Sequence, residues 1–171
     1  RWADLLVCEH LALQQAAKRG AMKKLNGKLK DVRAGRMRAK VGELDRTLVV
    51  VESKELLEGQ KRGVAAALVK AKVELRKLER SIETGRMKKS RLQERLTKAL
   101  RREHLSTFVV TEVGGTESAP TLTWTVDAER RRRLEVTRLG RRVLCTDRHS
   151  WSTERIVEAF YDFLERQPDF T

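Results

Sequence analysis

The sequence has few cysteines, few aromatic residues and no long apolar run. The only two cysteines, Cys8 and Cys145, are far apart. This excludes a disulfide framework or a cysteine-based metal site, and it is typical of a reducing, cytoplasmic setting. No stretch approaches the roughly 20 apolar residues that a membrane-spanning helix needs, so we expect no membrane partner. Because aromatic residues are 5% of the chain and charged residues 36%, we expect a modest core of Leu, Val and Ile.

Acidic residues are also scarce relative to basic ones. The chain has 38 Lys and Arg against 24 Asp and Glu, a formal net charge of +14. Such an excess favours polyanionic partners, which are nucleic acids or anionic membranes. Because the basic residues are clustered, nucleic acid is the favoured interpretation. The alternative is a charged helix surface that is only solvated.

Several motifs that carry chemistry are missing. The sequence contains no zinc-ligand spacing, phosphate-binding loop, dinucleotide fingerprint or nucleophile elbow. The three histidines, His10, His104 and His149, are isolated from the cysteines and fit solvated or helix-end positions better than metal ligation. We therefore expect no bound metal and no small-molecule cofactor in this chain alone.

The first 44 residues divide into an apolar helix and a basic arm. A helix is predicted over residues 2–17, with Leu5, Leu6, Leu11 and Leu13 on its apolar side. From Lys18 to Lys40 the chain has ten Lys or Arg residues and one acid, and three glycines interrupt it. Glycine weakens helices, so this stretch is interpreted as a partly ordered basic arm. The alternative is an unstructured stretch.

A strand and two helices follow. The β-branched run over residues 47–51 predicts a strand buried on both faces. Ser53 is a candidate N-cap for a helix from Lys54 to about Glu83, which Thr84 and Gly85 end. The apolar positions of this helix have coiled-coil spacing; they are Val64, Leu68, Ala71, Leu75, Leu78 and Ile82.

The next helix starts near Ser90, which with Gln93 has the spacing of a capping box. Its apolar residues Leu92, Leu96 and Leu100, with Ala99, form a matching stripe. A helical hairpin is therefore predicted, in which each stripe buries the other. A stripe left open to solvent would instead indicate a partner helix.

After His104 the spacing of the apolar residues changes from the helical period of about 3.6 to the strand period of 2. Residues 107–113 and 121–126 are predicted to pair as an antiparallel hairpin, with a long loop from Gly114 to Pro120. A short helix follows from Ala128 to about Leu139. A strand over residues 142–146, a polar loop over 147–152 and an amphipathic helix from about Ser152 then suggest an α/β core unit.

Two segments are candidate contacts for DNA. Arg130 to Arg133 are consecutive, so only two of them can point at one DNA backbone, because each helical step turns about 100°. The stretch 146–148 with Trp151 lies at the end of a strand, where functional loops are common. Asp147 in that loop is a possible metal ligand, but capping of the following helix is the preferred interpretation because two-metal chemistry needs several carboxylates.

Two patches of sequence resemble one known family. ELLEGQKRG at 55–63, with LVKA at 68–71 and the strand RTLVVV at 46–51, resembles the helical insertion of DDE transposases of the insertion-sequence type-four family. GRRVLCTDR at 140–148, with WS at 151–152 and ERIVEA at 154–159, is similar to the segment that precedes the last catalytic acid of that family. The resemblance covers about residues 45–167.

The resemblance implies a ribonuclease-H-like core in which two aspartates and a glutamate bind two Mg²⁺ or Mn²⁺ ions. In the family the glutamate follows a tyrosine and an arginine in a fixed pattern. Here Tyr161 occupies the tyrosine position, but Leu164 replaces the arginine and Pro168 the glutamate. Glu165 is a displaced candidate, three residues early. We therefore expect a catalytically incomplete fragment of a transposase, which begins at Arg1 rather than Met.

The predicted fold class is α-rich α/β, with a partial edge of a ribonuclease-H-like core and a long helical-hairpin insertion. The predicted domains are a basic segment (1–44), a strand with the helical hairpin (45–105) and the C-terminal core segment (106–171). We expect a DNA-binding, nucleoid-associated bacterial protein, with a homodimer as one option for its intact form. The alternative is a non-enzymatic helical hairpin that binds RNA or a protein. The predicted DNA-binding residues are Arg130, Arg133, Arg148, Trp151, Tyr161 and Arg166.

Overall fold

The computed structural model describes residues 2–16, 18, 21–29, 31–102 and 104–166. Within them the fold is mixed α/β, and the chain forms two compact units, residues 1–58 with 136–171 and residues 59–135. The helices are α1 (Trp2–Ala16), α2 (Lys54–Glu83), α3 (Lys89–Leu100), α4 (Leu105–Phe108), α5 (Ala128–Thr137) and α6 (Thr153–Arg166). The strands are β1 (Lys23–Lys24), β2 (Val32–Val41), β3 (Leu44–Ser53), β4 (Val109–Gly115), β5 (Pro120–Val126) and β6 (Arg141–Thr146).

The first unit contains a four-stranded antiparallel sheet in the order β1-β2-β3-β6. Its inner strand β3 is buried from Thr47 to Val51, which confirms the strand predicted for this run. Alternate residues point to opposite faces. Leu48 and Val50 belong to a core cluster with α1, whereas Val49 and Val51 belong to a cluster with α6. The continuous β-branched run therefore reflects burial on both faces.

Helix α1 is present as predicted, but its apolar face was predicted only in part. Among its described side chains, Cys8, Ala12, Leu13 and Ala16 are buried, whereas Leu6 is 64% exposed and Leu11 is 48% exposed. Small residues let the helix approach the sheet closely. The prediction is therefore confirmed for Leu13 and wrong for Leu6 and Leu11, and the side chain of Leu5 lies outside the described set.

The basic arm predicted between Lys18 and Lys40 is, over Val32–Val41, a regular strand. β2 pairs with β3 along its whole length, from Val32 opposite Ser53 to Val41 opposite Leu44. Its basic residues occupy exposed positions that alternate with more buried ones. At Gly35 a side chain would meet the Ala21 carbonyl oxygen and the Met22 sulfur at 2.9 Å. This glycine therefore permits a close approach and does not disrupt the strand.

Helix α2 begins and ends where the sequence predicts. The Ser53 hydroxyl accepts a hydrogen bond from the Leu56 N–H at 3.4 Å, as an N-cap does. At its other end Gly85 has φ of +67°, and the N–H groups of Gly85 and Arg86 donate to the carbonyls of Ile82 and Ser81. This is the Schellman arrangement, which favours glycine.

The apolar stripes of α2 and α3 are buried within the second unit. On α2 the buried positions are Val64, Leu68, Ala71, Leu75 and Leu78. On α3 they are Leu92, Leu96 and Leu100. The stripe of α2 is therefore covered within the second unit, apart from Ile82 at its end, which is only partly buried, and it is not an open site for a partner helix.

The capping box predicted at the start of α3 is wrong. Lys88 is the N-cap and no side chain caps the helix from that position. Ser90 lies inside the first turn, where its hydroxyl donates to the carboxylate of Glu117 at 2.6 Å. The carboxylate is supplied by a residue distant in sequence, so local spacing did not reveal it.

Strands β4 and β5 form the predicted antiparallel hairpin, but with a shorter loop. β4 continues through Gly114 to Gly115, which pairs with Pro120. It also begins later than predicted, because residues 105–108 form the single helical turn α4 after His104, which has φ of +59°. Leu122, Trp124 and Val126 alternate with exposed threonines as expected. The indole N–H of Trp124 donates to Glu79 of α2 at 2.8 Å.

The remaining elements of the chain follow the prediction closely. α5 ends at Thr137, before Gly140, which has φ of +77°. β6 and α6 cover the predicted strand and terminal helix, and Ile156 and Val157 are buried as the apolar face requires. Within the described residues, no helix combines the length and apolarity needed to cross a membrane. The three-domain division of the sequence stays a prediction.

The burial of the α2 stripe gives a first testable prediction. Leu75 is fully buried and Val69, on the same helix, is 64% exposed. We expect Leu75→Ala to lower the free energy of unfolding by about 2–5 kcal/mol, because it removes buried methyl groups and leaves a cavity. The matched control Val69→Ala should change it by less than about 0.5 kcal/mol. Urea denaturation followed by circular dichroism measures both, and equal effects would contradict the burial of the stripe.

Candidate nucleic-acid interface

A groove of about 850 Å³ lies between α2 and α3 in the second unit. Small residues line it, mostly on α2; they are Gly63, Ala66, Ala67, Ala71 and Ala99. The stretch of α2 from Gly63 to Glu74 spans eleven helical steps, so the groove is about 16 Å long. Small side chains leave this space open, whereas larger ones at the same positions would fill it.

The groove is strongly basic. Its charged lining includes six cationic side chains, and these are Lys70, Arg91, Arg95, Lys98, Arg101 and Arg102. Only two carboxylates, Glu74 and Glu94, line the same space. Five of the six cations come from α3 and the segment directly after it. The groove therefore combines a concave shape with a concentrated positive charge, which attracts polyanions.

Of the two groove carboxylates, Glu74 already forms ion pairs with basic side chains. Lys77 donates to it at 2.7 Å, and Arg95 lies 4.0 Å from its other oxygen. The hydrogen bond from Lys77, followed by the charges of Lys77 and Arg95, lowers the pKa of Glu74 from its ordinary value of 4.5. Across the ranges that the structure describes, the other five groove cations have no carboxylate partner. Their charge is available to a ligand.

The β4–β5 turn holds the start of α3. The Glu117 carboxylate accepts hydrogen bonds from the Ser90 hydroxyl at 2.6 Å and from the Ser90 N–H at 3.3 Å. The Lys89 N–H donates to the Glu117 carbonyl, and the Lys89 ammonium donates to the Gly115 carbonyl. A negative group near a helix N-terminus is stabilising. Glu117 therefore positions the helix that supplies Arg91, Arg95 and Lys98 to the groove.

The two arginines predicted on α5 are paired with local acids. Arg130 contacts the Asp127 carboxylate at 3.2 Å, and the same carboxylate accepts its backbone N–H. Arg133 lies 3.5 Å from Glu129. Both pairs are exposed, so they contribute little to stability. The structure gives no further sign of a ligand at these arginines, and their role in binding DNA stays a prediction.

Arg148 and Trp151 are brought together by the loop between β6 and α6. The Arg148 guanidinium carbon lies 5.7 Å from the centroid of the Trp151 ring, and that of Arg155 lies 4.3 Å from it. Asp147 does not cap α6. The Ser152 hydroxyl does so by accepting the N–H of Arg155 at 3.2 Å. The prediction that Asp147 caps the following helix is therefore wrong, and its carboxylate instead lies 3.7 Å from the Arg148 guanidinium.

Tyr161, Glu165 and Arg166 lie on α6. Tyr161 packs against the cluster of Val49 and Val51, and burial raises the pKa of its hydroxyl, partly offset by Arg142. Glu165 and Arg166 are exposed, and Glu165 lines a groove of about 310 Å³ that four other acids share; they are Asp31, Glu55, Glu158 and Asp162. A nucleic-acid backbone is repelled by such a groove.

No metal centre is formed by the part of the chain that the structure describes. No group of three or more His, Cys, Asp or Glu residues there has an arrangement that holds a metal ion. Pro168, which occupies the position of the family's catalytic glutamate, lies outside the described residues. The displaced candidate Glu165 belongs to no such group.

No family model matches this sequence, and no curated protein or solved structure is detectably similar to it. The transposase resemblance thus rests on the quoted patches of sequence alone. The groove itself was missed by sequence reasoning, because its two walls are separated along the chain. The available signal was the run of small residues on one flank of α2 beside the basic positions of α3.

The contact between Glu117 and α3 predicts a specific pH dependence. Hydrogen bonds from Ser90 lower the pKa of Glu117 from 4.5. Its stabilisation of α3 should therefore be complete above about 4.5 and be lost as the pH falls through the lower folded value. In NMR spectra, the Ser90 amide should titrate with a midpoint below 4.5. This titration should vanish in Glu117→Gln and persist in Glu112→Gln; a Ser90 midpoint at or above the ordinary value would contradict the contact.

Proposed function

We propose that this protein binds nucleic acid through the basic groove between α2 and α3 and does not itself catalyse a reaction. The observation that supports this most is the concentration of six Lys and Arg side chains around one concave space, against two Glu side chains. Nucleic-acid backbones are the commonest polyanions that fit an elongated basic groove. The net charge of +14 adds a long-range attraction.

The groove chemistry favours contacts to phosphates over contacts to bases. No aromatic side chain is among the described residues that line it, so bases have no ring on which to stack. Its donors are Lys and Arg, which neutralise phosphates without selecting a sequence. We therefore propose binding that depends weakly on sequence and strongly on salt.

The buried stripe argues against the alternative of a hairpin that captures a protein helix through its apolar seam. Val64, Leu75 and Leu78 are at most 1% exposed. A partner helix would have nothing apolar to contact there. The alternative that the hairpin binds RNA would use the same basic groove as DNA binding. Comparing the affinities for the two nucleic acids distinguishes these two possibilities.

The wider role that we propose is that of a piece of a DNA transposase of the insertion-sequence type-four family. The sequence patches at 46–63 and 140–159 support it. In that proposal the long hairpin of α2 and α3 is the helical insertion, and the sheet of the first unit is an edge of a ribonuclease-H-like core. In that proposal Mg²⁺ or Mn²⁺ would act in the intact family, a homodimer is one option for the intact protein, and DNA binding would place the protein at the nucleoid.

Binding through the groove is tested by a charge-removal variant. Arg95→Gln, Lys98→Gln and Arg102→Gln together should weaken binding to a short duplex at least about tenfold at low salt. The slope of the logarithm of the binding constant against the logarithm of salt concentration should become shallower by about 2–3, because about 0.9 of a counterion is released per phosphate contact. Fluorescence anisotropy with a labelled oligonucleotide measures both quantities.

The matched control removes the same charge from α5, through Arg130→Gln, Arg132→Gln and Arg133→Gln. It should retain affinity and salt slope if the groove is the site. Should the α5 variant lose binding while the groove variant keeps it, the groove proposal fails and the sequence-based choice of Arg130 and Arg133 is supported. Repeating both titrations with duplex RNA separates DNA from RNA as the preferred ligand.

The proposed lack of catalysis gives a separate expectation. Incubated with supercoiled plasmid and either Mg²⁺ or Mn²⁺, the chain should leave the plasmid unnicked, since its described residues gather no set of metal-binding carboxylates. An agarose gel shows the result. Nicking that disappears in Glu165→Gln would contradict the proposal and make Glu165 a catalytic residue.

A further inference from the structure

We propose that Arg148 and Arg155, held against the indole of Trp151, form a second anion site that binds a phosphate group. The site lies in the loop between β6 and α6 in the first unit and shares no residue with the α2–α3 groove. It rests on different side chains from the proposed function, so each proposal can fail without the other.

The loop is held in place from the sheet beneath it. The guanidinium of Arg36 on β2 donates to the carbonyls of His149 and Trp151, each at 2.6 Å. Thr47 on β3, whose side chain is fully buried, shares a hydrogen bond of 2.8 Å with the His149 ring. Trp151 itself packs against the core cluster around Val49 and Ile156. These contacts fix the ring on which the two arginines rest.

The two guanidinium groups share that ring. The Arg155 guanidinium lies 4.3 Å from the ring centroid and that of Arg148 lies 5.7 Å from it, so the two are at most 10.0 Å apart. An arginine stacked on an aromatic ring keeps its N–H donors at its edge, where they can bind another group. Two cations on one side chain concentrate positive charge at this loop, and that charge attracts an anion.

The donors of Arg155 are available. Over the described ranges Arg155 has no carboxylate partner, and its guanidinium stacks on the Trp151 ring. Arg148 is paired only with Asp147, at 3.7 Å and with both side chains more than 60% exposed. Such a long, exposed pair contributes little and is easily exchanged for a stronger partner. Asp147 and Glu154 are the acids of the same segment, and neither forms an ion pair with the Arg155 side chain.

A phosphate group fits these donors better than a base or a carboxylate does. The Arg155 guanidinium occupies the indole at stacking distance, so a base does not stack there. Forked guanidinium groups match the oxygens of phosphate, and a phosphate carries more negative charge than a carboxylate, so two arginines attract it more strongly. The phosphate comes either from a nucleic-acid chain or from a free phosphate compound, and the chemistry of recognition is the same.

NMR of the ¹⁵N-labelled full chain tests this site. The three tryptophans give three indole N–H signals, and the signal lost in Trp151→Phe is assigned to Trp151. Inorganic phosphate is added at constant ionic strength, with chloride as the balancing anion. We expect a saturable shift of the Trp151 indole and of the Arg155 Nε–H. Arg155→Gln should weaken the affinity at least about tenfold, whereas Arg138→Gln, an exposed arginine of the same unit, should leave it unchanged.

Two results overturn the proposal. One is a shift that chloride produces as well as phosphate, and the other is an Arg155→Gln protein that titrates like the wild type. A 5′-phosphorylated dinucleotide serves as a second probe. Saturation at about tenfold lower concentration than with inorganic phosphate assigns the site to nucleic acid, and equal saturation assigns it to free phosphate; either result supports a phosphate site. The groove variant should show the same titration as the wild type.

Discussion

The apolar stripe of α2 must be removed from water, and the way it is buried determines which surface remains for binding. Val64, Leu68, Leu75 and Leu78 are covered within the second unit. An isolated helix of this kind is marginal in water, so α2 depends on this burial. The flank of α2 beside the stripe carries Gly and Ala, and α3 lies next to it with its Arg and Lys residues. The basic groove lies between this flank of α2 and the basic residues of α3.

The first unit depends in the same way on the double-sided burial of β3. Because helices cover both faces of the sheet, residues at positions 47–51 are all removed from solvent. Towards the end of the face that packs on α6, polar side chains replace the apolar ones. Arg36 and Thr47 there hold the loop after β6 through hydrogen bonds. The sheet therefore fixes the ring of Trp151 and the two arginines that lie on it.

Much of the fold could be predicted because its strongest elements have clear periodicity. In each case the pattern that predicts the element lies within one continuous segment. This holds for the stripe of α2, the β-branched run of β3 and the apolar face of α6. β2 could not be recognised, because alternating Arg and Lys with Gly35 resembled a flexible arm. The capping of α3 by Glu117 and the support of the loop by Arg36, 113 residues before His149, depend on tertiary contacts that local patterns do not contain.

The candidate sites show the same limit. Sequence reasoning selected Arg148 and Trp151, which the structure does place together, but it missed Arg155, whose guanidinium is closer to the ring. It selected Arg130 and Arg133 because they are consecutive arginines, although each is paired with a nearby acid. Five of the six groove cations lie within residues 91–102, but α2 supplies the sixth and most of the small residues of the other wall, so no single stretch of sequence displays the groove.

The central claim is that the groove between α2 and α3 binds nucleic acid, and mapping the bound surface tests it most directly. Amide chemical shifts of the full chain, recorded while a short duplex is added, report which segments contact it. The largest changes should lie in residues 63–74 and 91–102, with little change in α5. Changes concentrated in α5 or on the exposed side of α1, with the groove helices unaffected, would contradict the account.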